Sequence, residues 1–192
     1  MFSLHNPVTS ATEQRIMAKF LKLIVPDLSP TSIEKFRGSR RSLEICIDNR
    51  TSESLSFIDS FFSTGGMFPI NERPHDVVHR SGSVYYVAST SFVAGVSGGW
   101  KFKVVGKDVY LYIGFSNPLF VSYKTFVSLT TEEGRDAKWP WDMLRDSSIK
   151  TGNCDEYIVE VTLTYPHYSP YKRIHCKIYS KENSYCVSTS GQ

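Results

Sequence analysis

No stretch of the chain reaches the roughly 18 consecutive apolar residues that a transmembrane helix requires. The opening residues, MFSLHNPVTSATEQ, hold no apolar core of the kind that marks a secretory leader, so none is expected. The 4 cysteines, Cys46, Cys154, Cys176 and Cys186, include no Cys-x-x-Cys pair, which argues against zinc. No metal and no other cofactor is expected. Several pairings of these thiols are open, Cys176 with Cys186 among them, and full reduction is an equal alternative. A net charge of +3 is too small to imply a nucleic-acid partner, which calls for a concentrated basic face. Gly-x-Ser-x-Gly, P-loop and His-Glu-x-x-His motifs are all missing, and nothing argues for an enzyme. His75 and His79 stand four apart without a third ligand at a recognisable spacing, so they read as surface histidines. Asn49-Arg50-Thr51 is a glycosylation triplet of the kind that also arises by chance.

Aromatic residues are abundant, at 14% with 12 Phe and 11 Tyr, and strands favour them. After Arg40-Arg41 the apolar period is two. Strand candidates are Leu43–Ile47, Ser54–Phe62, Ser83–Ala88, Phe92–Val96, Trp100–Val105, Val109–Phe115, Thr125–Leu129, Tyr157–Tyr165 and Arg173–Tyr179. Turn-rich separators lie between them: Thr64-Gly65-Gly66, Ser81-Gly82, Ser97-Gly98-Gly99, Val105-Gly106-Lys107-Asp108 and Thr151-Gly152-Asn153. Short strands at this spacing indicate a mainly β fold, a β-sandwich or barrel. Trp139–Arg145 carries Pro140 near its start and reads as a short helix.

The first forty residues follow a different period. Ser10–Val25 is a helix candidate with Glu13 in its first turn and Pro26 at its end. Ile16, Phe20, Leu23 and Ile24 form its apolar face, widened by Met17 and Leu21, with Arg15, Lys19 and Lys22 opposite. Such a helix lies on a membrane surface or packs on a domain by its apolar face. Leu28–Phe36 is a second, shorter candidate. The expected organisation is a leader and helical segment over residues 1–39, a β-sandwich over 40–182 and a tail over 183–192.

The most unusual stretch follows Val109–Phe115. Ser116-Asn117-Pro118 breaks the strand. Leu119, Phe120, Val121, Tyr123 and Phe126 then crowd what should be a loop. An aromatic loop either folds onto the core or meets an apolar or π-rich partner such as a lipid interface, a sugar face or another protein.

Taken in succession, three stretches resemble the actinoporin-like pore-forming cytolysins. Arg40-Arg41-Ser42-Leu43-Glu44-Ile45-Cys46-Ile47-Asp48-Asn49 is similar to the family's basic pair, first strand and turn. Val93-Ala94-Gly95-Val96-Ser97-Gly98 is similar to its small-residue strand. Ile113-Gly114-Phe115-Ser116-Asn117-Pro118, followed by Tyr123-Lys124-Thr125-Phe126, is similar to its Phe-Ser-Val-Pro and aromatic loop. The likeness runs over roughly residues 10–180.

The resemblance implies a β-sandwich of about eight to ten strands flanked by the N-terminal amphipathic helix and a second short helix. It also implies recognition of phosphocholine headgroups, sphingomyelin above all, and self-oligomerisation on the membrane. Position by position, Thr64, Val93, Ser116, Pro118 and Tyr123 would hold the headgroup. Phe120, Phe126 and Trp141 would meet the membrane interface. Arg15, Ile16, Lys19, Phe20, Lys22, Leu23 and Ile24 would belong to the pore-forming helix. The family's location is secreted and then the target cell membrane; the absence of a leader core leaves the cytosol open as well. Its tyrosine cluster has no match here, Trp141 and Leu144 standing nearest, and Ser63 replaces its arginine. A cationic helix face would attract anions to a pore. A helix of about 16 residues spans about 24 Å, short of the roughly 30 Å hydrocarbon core. The alternative on the same scaffold is a non-lytic lipid- or glycan-binding module, similar to fungal lectins.

Overall fold

Leu43, Ile45 and Ile47 alternate along the first described strand, and burying them is what sets the sandwich's first sheet. The computed structural model describes residues 42–68, 73–89, 95–118, 123–145, 149–154, 156–164 and 172–181. Within them run β1 (Ser42–Asn49), β2 (Leu55–Thr64), β3 (Gly66–Met67), β4 (Ser81–Ala88), β5 (Val96–Val104), β6 (Tyr110–Asn117) and β7 (Lys124–Thr130). A short helix, α1 (Trp139–Asp142), and one 3₁₀ turn (Met143–Arg145) follow. Then come β8 (Ile149–Gly152), β9 (Tyr157–Thr164) and β10 (Lys172–Ser180). The expected helices at 10–25 and 28–36 lie outside the described residues, as do Val93 and Phe120.

The strands form two five-stranded sheets, β3-β4-β1-β10-β9 and β2-β5-β6-β7-β8. Neighbours are antiparallel except β1 with β10 and β7 with β8. The fold is therefore mainly β, a β-sandwich, as the periodicity indicates. One core lies between the sheets. From the first sheet come Leu43, Ile45, Ile47, Tyr85, Val87, Ile174 and Ile178; from the second, Trp100, Phe102, Leu111, Ile113, Phe115, Val127 and Leu129. Trp100 is fully buried and meets Tyr85 and Phe115 edge-on, each ring centroid 5.2 Å away. That geometry suits the ring quadrupoles and fixes the sheets' relative placement. Asn117 adds a polar tie, its Nδ2 donating to the Ser42 carbonyl at 3.2 Å.

Several details depart from the sequence reading, among them the Ser81-Gly82 separator, which is the start of β4 and not a turn. Gly98 and Gly99 form no turn; they sit inside β5, where a Cβ on Gly99 would lie 2.2 Å from the Ala137 carbonyl oxygen. The glycine there permits close approach of backbone rather than a reversal. Thr151 and Gly152 belong to β8, a four-residue strand too short for its pattern to register. Cys176 stands inside the core with a free thiol, pushed up to about 12 by burial, rather than stapling the tail. Cys46 and Cys154 are also free thiols, and Cys186 is outside the described residues.

Candidate functional site

Register across the second sheet decides which side chains share a surface, because directly paired residues point to the same face. Thr64 pairs with Ser97, Ser97 with Ser116, and Ser116 with Lys124. Three hydroxyls and one ammonium thus form a single row across β2, β5, β6 and β7. The row lies on the outer face, since the intervening Phe115 and Val127 point into the core. All four side chains are half-buried. Thr64 Oγ1 and Ser97 Oγ are 3.1 Å apart and share a hydrogen bond. With neighbouring strands about 4.8 Å apart, Ser97, Ser116 and Lys124 span about 10 Å.

The next row along the same face is Gly99, Gly114 and Phe126, flanked on β2 by Phe61. Here α1 settles directly onto backbone. A Cβ on Gly114 would fall 2.2 Å from the Pro140 carbonyl oxygen, so only glycine admits the helix at this depth. Trp139 then fits edge-on between Phe126 and Tyr112, at 5.1 Å from each, and Trp141 lies 5.5 Å from Phe61. The Arg135 guanidinium covers Trp139 at 3.8 Å, a cation–π contact.

A third row holds the loop before the helix. Lys101, almost fully buried, donates to the carbonyls of Glu133 at 2.7 Å and Arg135 at 2.9 Å, with the Tyr110 ring 4.7 Å from its ammonium. Tyr112 Oη donates toward the carbonyls of Arg135 at 2.9 Å and Glu132 at 3.1 Å. Burial is the leading cause that pushes this phenol up to about 12, so at neutral pH it acts as a donor. The hydroxyl–ammonium row is therefore bordered by a helix that is anchored on two sides.

The structure brings Thr64 and Ser116 together, with Pro118 half-buried directly beyond β6, and it adds Ser97 and Lys124. It separates Tyr123 from them. Tyr123 is only 2% exposed and belongs to the core, with the Lys172 ammonium 5.2 Å from its ring centroid. Alternation is the reason: in β7 Lys124 faces the row, so Tyr123 and Thr125 face inward. Phe126 is on the row's face but is 6% exposed, covered by Trp139, and meets no interface in this arrangement. Trp141 is half-buried beside Phe61. His75 and His79 are exposed, and the His75 ring lies tilted against Tyr85 with centroids 5.0 Å apart. Among the described residues no group of three or more His, Cys, Asp or Glu is placed to hold a metal, and no helix is long and apolar enough to cross a membrane.

The fold is similar to that of Nakanori, a lipid-binding protein. The Nakanori crystal structure superposes with a TM-score of 0.62, covering 90% of this chain and 90% of that one. At 10% sequence identity, the likeness to Nakanori is one of fold. Neither protein-family models nor curated proteins gave a match to the sequence.

Proposed function

We propose that this protein binds membrane lipids by their headgroups, through the row Thr64–Ser97–Ser116–Lys124. The observation that carries the reading is this juxtaposition of three hydroxyls and an ammonium on one half-buried strip. Hydroxyls and an ammonium supply the charge-assisted hydrogen bonds a phosphate takes. The neighbouring Phe61–Trp141 pair adds aromatic surface beside the row, and the Lys138 ammonium 5.5 Å from the Trp141 ring shows that this ring accommodates a cation. A fold shared with a lipid-binding protein supports the same reading. The activity proposed is binding rather than catalysis.

The finer proposal follows the actinoporin resemblance: phosphocholine lipids, sphingomyelin among them, are the ligand, and Ser10–Val25 inserts into an oligomeric pore. The protein would then act from outside on a target membrane. Pro118 borders the row and Val93 is retained as a pocket residue in this proposal. Co-sedimentation with liposomes tests binding, and calcein release tests the pore. Leakage from sphingomyelin vesicles at micromolar protein is the expected result, and intact vesicles would remove the pore. Lys19→Glu should spare binding while shifting ion selectivity toward cations. The second reading, a glycan-binding module, is favoured by the sequence's having no match for the family's tyrosine cluster; hits on a glycan array without liposome binding would select it.

A further inference from the structure

The Asn49-Arg50-Thr51 triplet plays no part in lipid binding, yet its side chains build a junction. Asn49 ends β1 and is 0% exposed, and Thr51 is 1% exposed. Asn49 Oδ1 accepts from the Thr51 backbone N–H at 3.2 Å, and the Thr51 hydroxyl donates to it at 2.7 Å. That hydroxyl also stands 2.9 Å from the Glu53 carbonyl, so its one proton is held between two acceptors. Asn49 Nδ2 donates to the Glu53 carbonyl at 2.7 Å, and toward the carbonyls of Val78 at 3.4 Å and Val77 at 3.5 Å. The Arg80 backbone N–H closes the same junction on the Thr51 carbonyl at 3.2 Å. One buried amide, with its donors and its acceptor all engaged, thus ties the turn after β1 to the turn before β4.

From this geometry we infer that folding and N-glycosylation exclude each other at Asn49. A folded molecule accepts no sugar there, and a chain that receives one before folding does not reach this fold. N-glycosylation joins the Asn amide nitrogen to the anomeric carbon of an activated sugar. The bond from that carbon to its phosphate leaving group breaks, and the nitrogen gives up one proton. Around Asn49 Nδ2 the acceptors are carbonyl oxygens 2.7, 3.4 and 3.5 Å away. A C–N single bond takes about 1.45 Å of such a distance. The sugar carbon would therefore stand well inside the roughly 3.3 Å of close C···O contacts. A bulky, hydrated glycan also has no exit from a fully buried side chain. The consequence concerns the route to a target membrane. A compartment that glycosylates chains as they are made would divide them into unmodified, folded molecules and modified, unfolded ones.

The test uses the full chain and a soluble transferase that moves a single hexose from a nucleotide sugar to Asn-x-Ser/Thr, read by intact mass and peptide mapping. A double variant, Gly106→Asn with Asp108→Thr, is the control. It places the same triplet on the exposed turn between β5 and β6, where a Cβ on Gly106 would meet nothing within 4 Å. The Gly106 φ of 77° is one that Asn tolerates. Thermal unfolding checks that this variant is folded, and the transferase is one that modifies it in native buffer. Under the same conditions the folded parent should gain no hexose. With the transferase present during cell-free synthesis, parent chains should carry hexose on Asn49, and those chains should be recovered only as aggregated or protease-sensitive material. Hexose on Asn49 of the folded parent overturns the inference. So does a chain modified at Asn49 that stays soluble and resists protease as the unmodified chain does. If Asn49 stays bare during synthesis while the control is modified on its turn, folding outruns transfer, and the claim that modification blocks folding falls.

Discussion

Gly114→Ala tests the contact that holds the site's border in place. The added Cβ would lie 2.2 Å from the carbonyl oxygen and 2.6 Å from the carbonyl carbon of Pro140, and 3.2 Å from the Trp141 nitrogen. All three are backbone atoms, so no side chain can swing away. Since even close C···O contacts lie near about 3.3 Å, α1 must retreat by roughly 1 Å. The retreat opens the edge contacts of Trp139 with Phe126 and Tyr112. Overpacking of this kind costs about 1–3 kcal/mol. In a chain of this size about 2 kcal/mol corresponds to a fall in Tm of about 4–8 °C. Urea unfolding followed by tryptophan fluorescence reads it well, because two of the three tryptophans sit on α1. Gly134→Ala is the matched control: its Cβ would meet nothing within 4 Å, and a change within about 0.5 kcal/mol is expected. Equal midpoints for the two variants would refute the account of how α1 is seated.

Four further outcomes follow from named contacts. Tyr123→Ala should destabilise by about 3–5 kcal/mol, as for other buried aromatics, so its effect on liposome binding is read through Tyr123→Phe, expected to bind like the parent protein; a normal Tm for Tyr123→Ala would place the ring outside the core. Lys101→Met takes the ammonium donor from the Glu133 carbonyl and leaves the Arg135 carbonyl to Tyr112 alone, and should cost about 1–3 kcal/mol, with faster amide exchange over residues 131–138 as the local signature; unchanged exchange there would show that Lys101 anchors nothing. Arg173→Met strands the almost fully buried Glu44, whose carboxylate lies 2.5 Å from the Arg173 Nε, and should cost about 3–5 kcal/mol by denaturant unfolding; a loss under about 1 kcal/mol would mean that water reaches Glu44.

The last concerns pH. Desolvation, reinforced by Lys177, holds the His175 imidazole below its ordinary range. Below about pH 6.5 the unfolded chain therefore binds more protons here than the folded one, and stability falls as pH drops through that value. His175→Gln should flatten the decline in Tm between about pH 7 and pH 5. Parallel curves for parent and variant would assign the decline to other groups.

The strands were legible because their patterns are strong. Leu43–Ile47, Val109–Phe115 and Arg173–Tyr179 alternate over long enough runs to fix both type and face, and packing of one set of alternate residues against the opposite sheet enforces the period. Pro140 near the start of Trp139–Arg145 announced the short helix. β3 and β8, at two and four residues, carry too little pattern. The candidate site was only half legible. The family resemblance pointed to Ser116 and Thr64, whereas Ser97 and Lys124 join them through strand register, which depends on partners far along the chain. The placement of Tyr123 had a local signal: Tyr123, Thr125, Val127 and Leu129 share one face by period two, and three of the four are apolar or aromatic. Glycine misled in β5 because close backbone approach and a turn leave the same residue behind.

Whether the outer row of the second sheet holds a lipid headgroup is read by liposome co-sedimentation of the parent protein beside a Ser97→Ala, Ser116→Ala double variant. Both substituted side chains are half-buried hydroxyls on the outer face, so the variant should unfold within about 1 kcal/mol of the parent. The parent is expected to pellet with the vesicles and the equally stable variant to stay in the supernatant. A parent that stays in the supernatant with every vesicle, or a variant that pellets as the parent does, would contradict it.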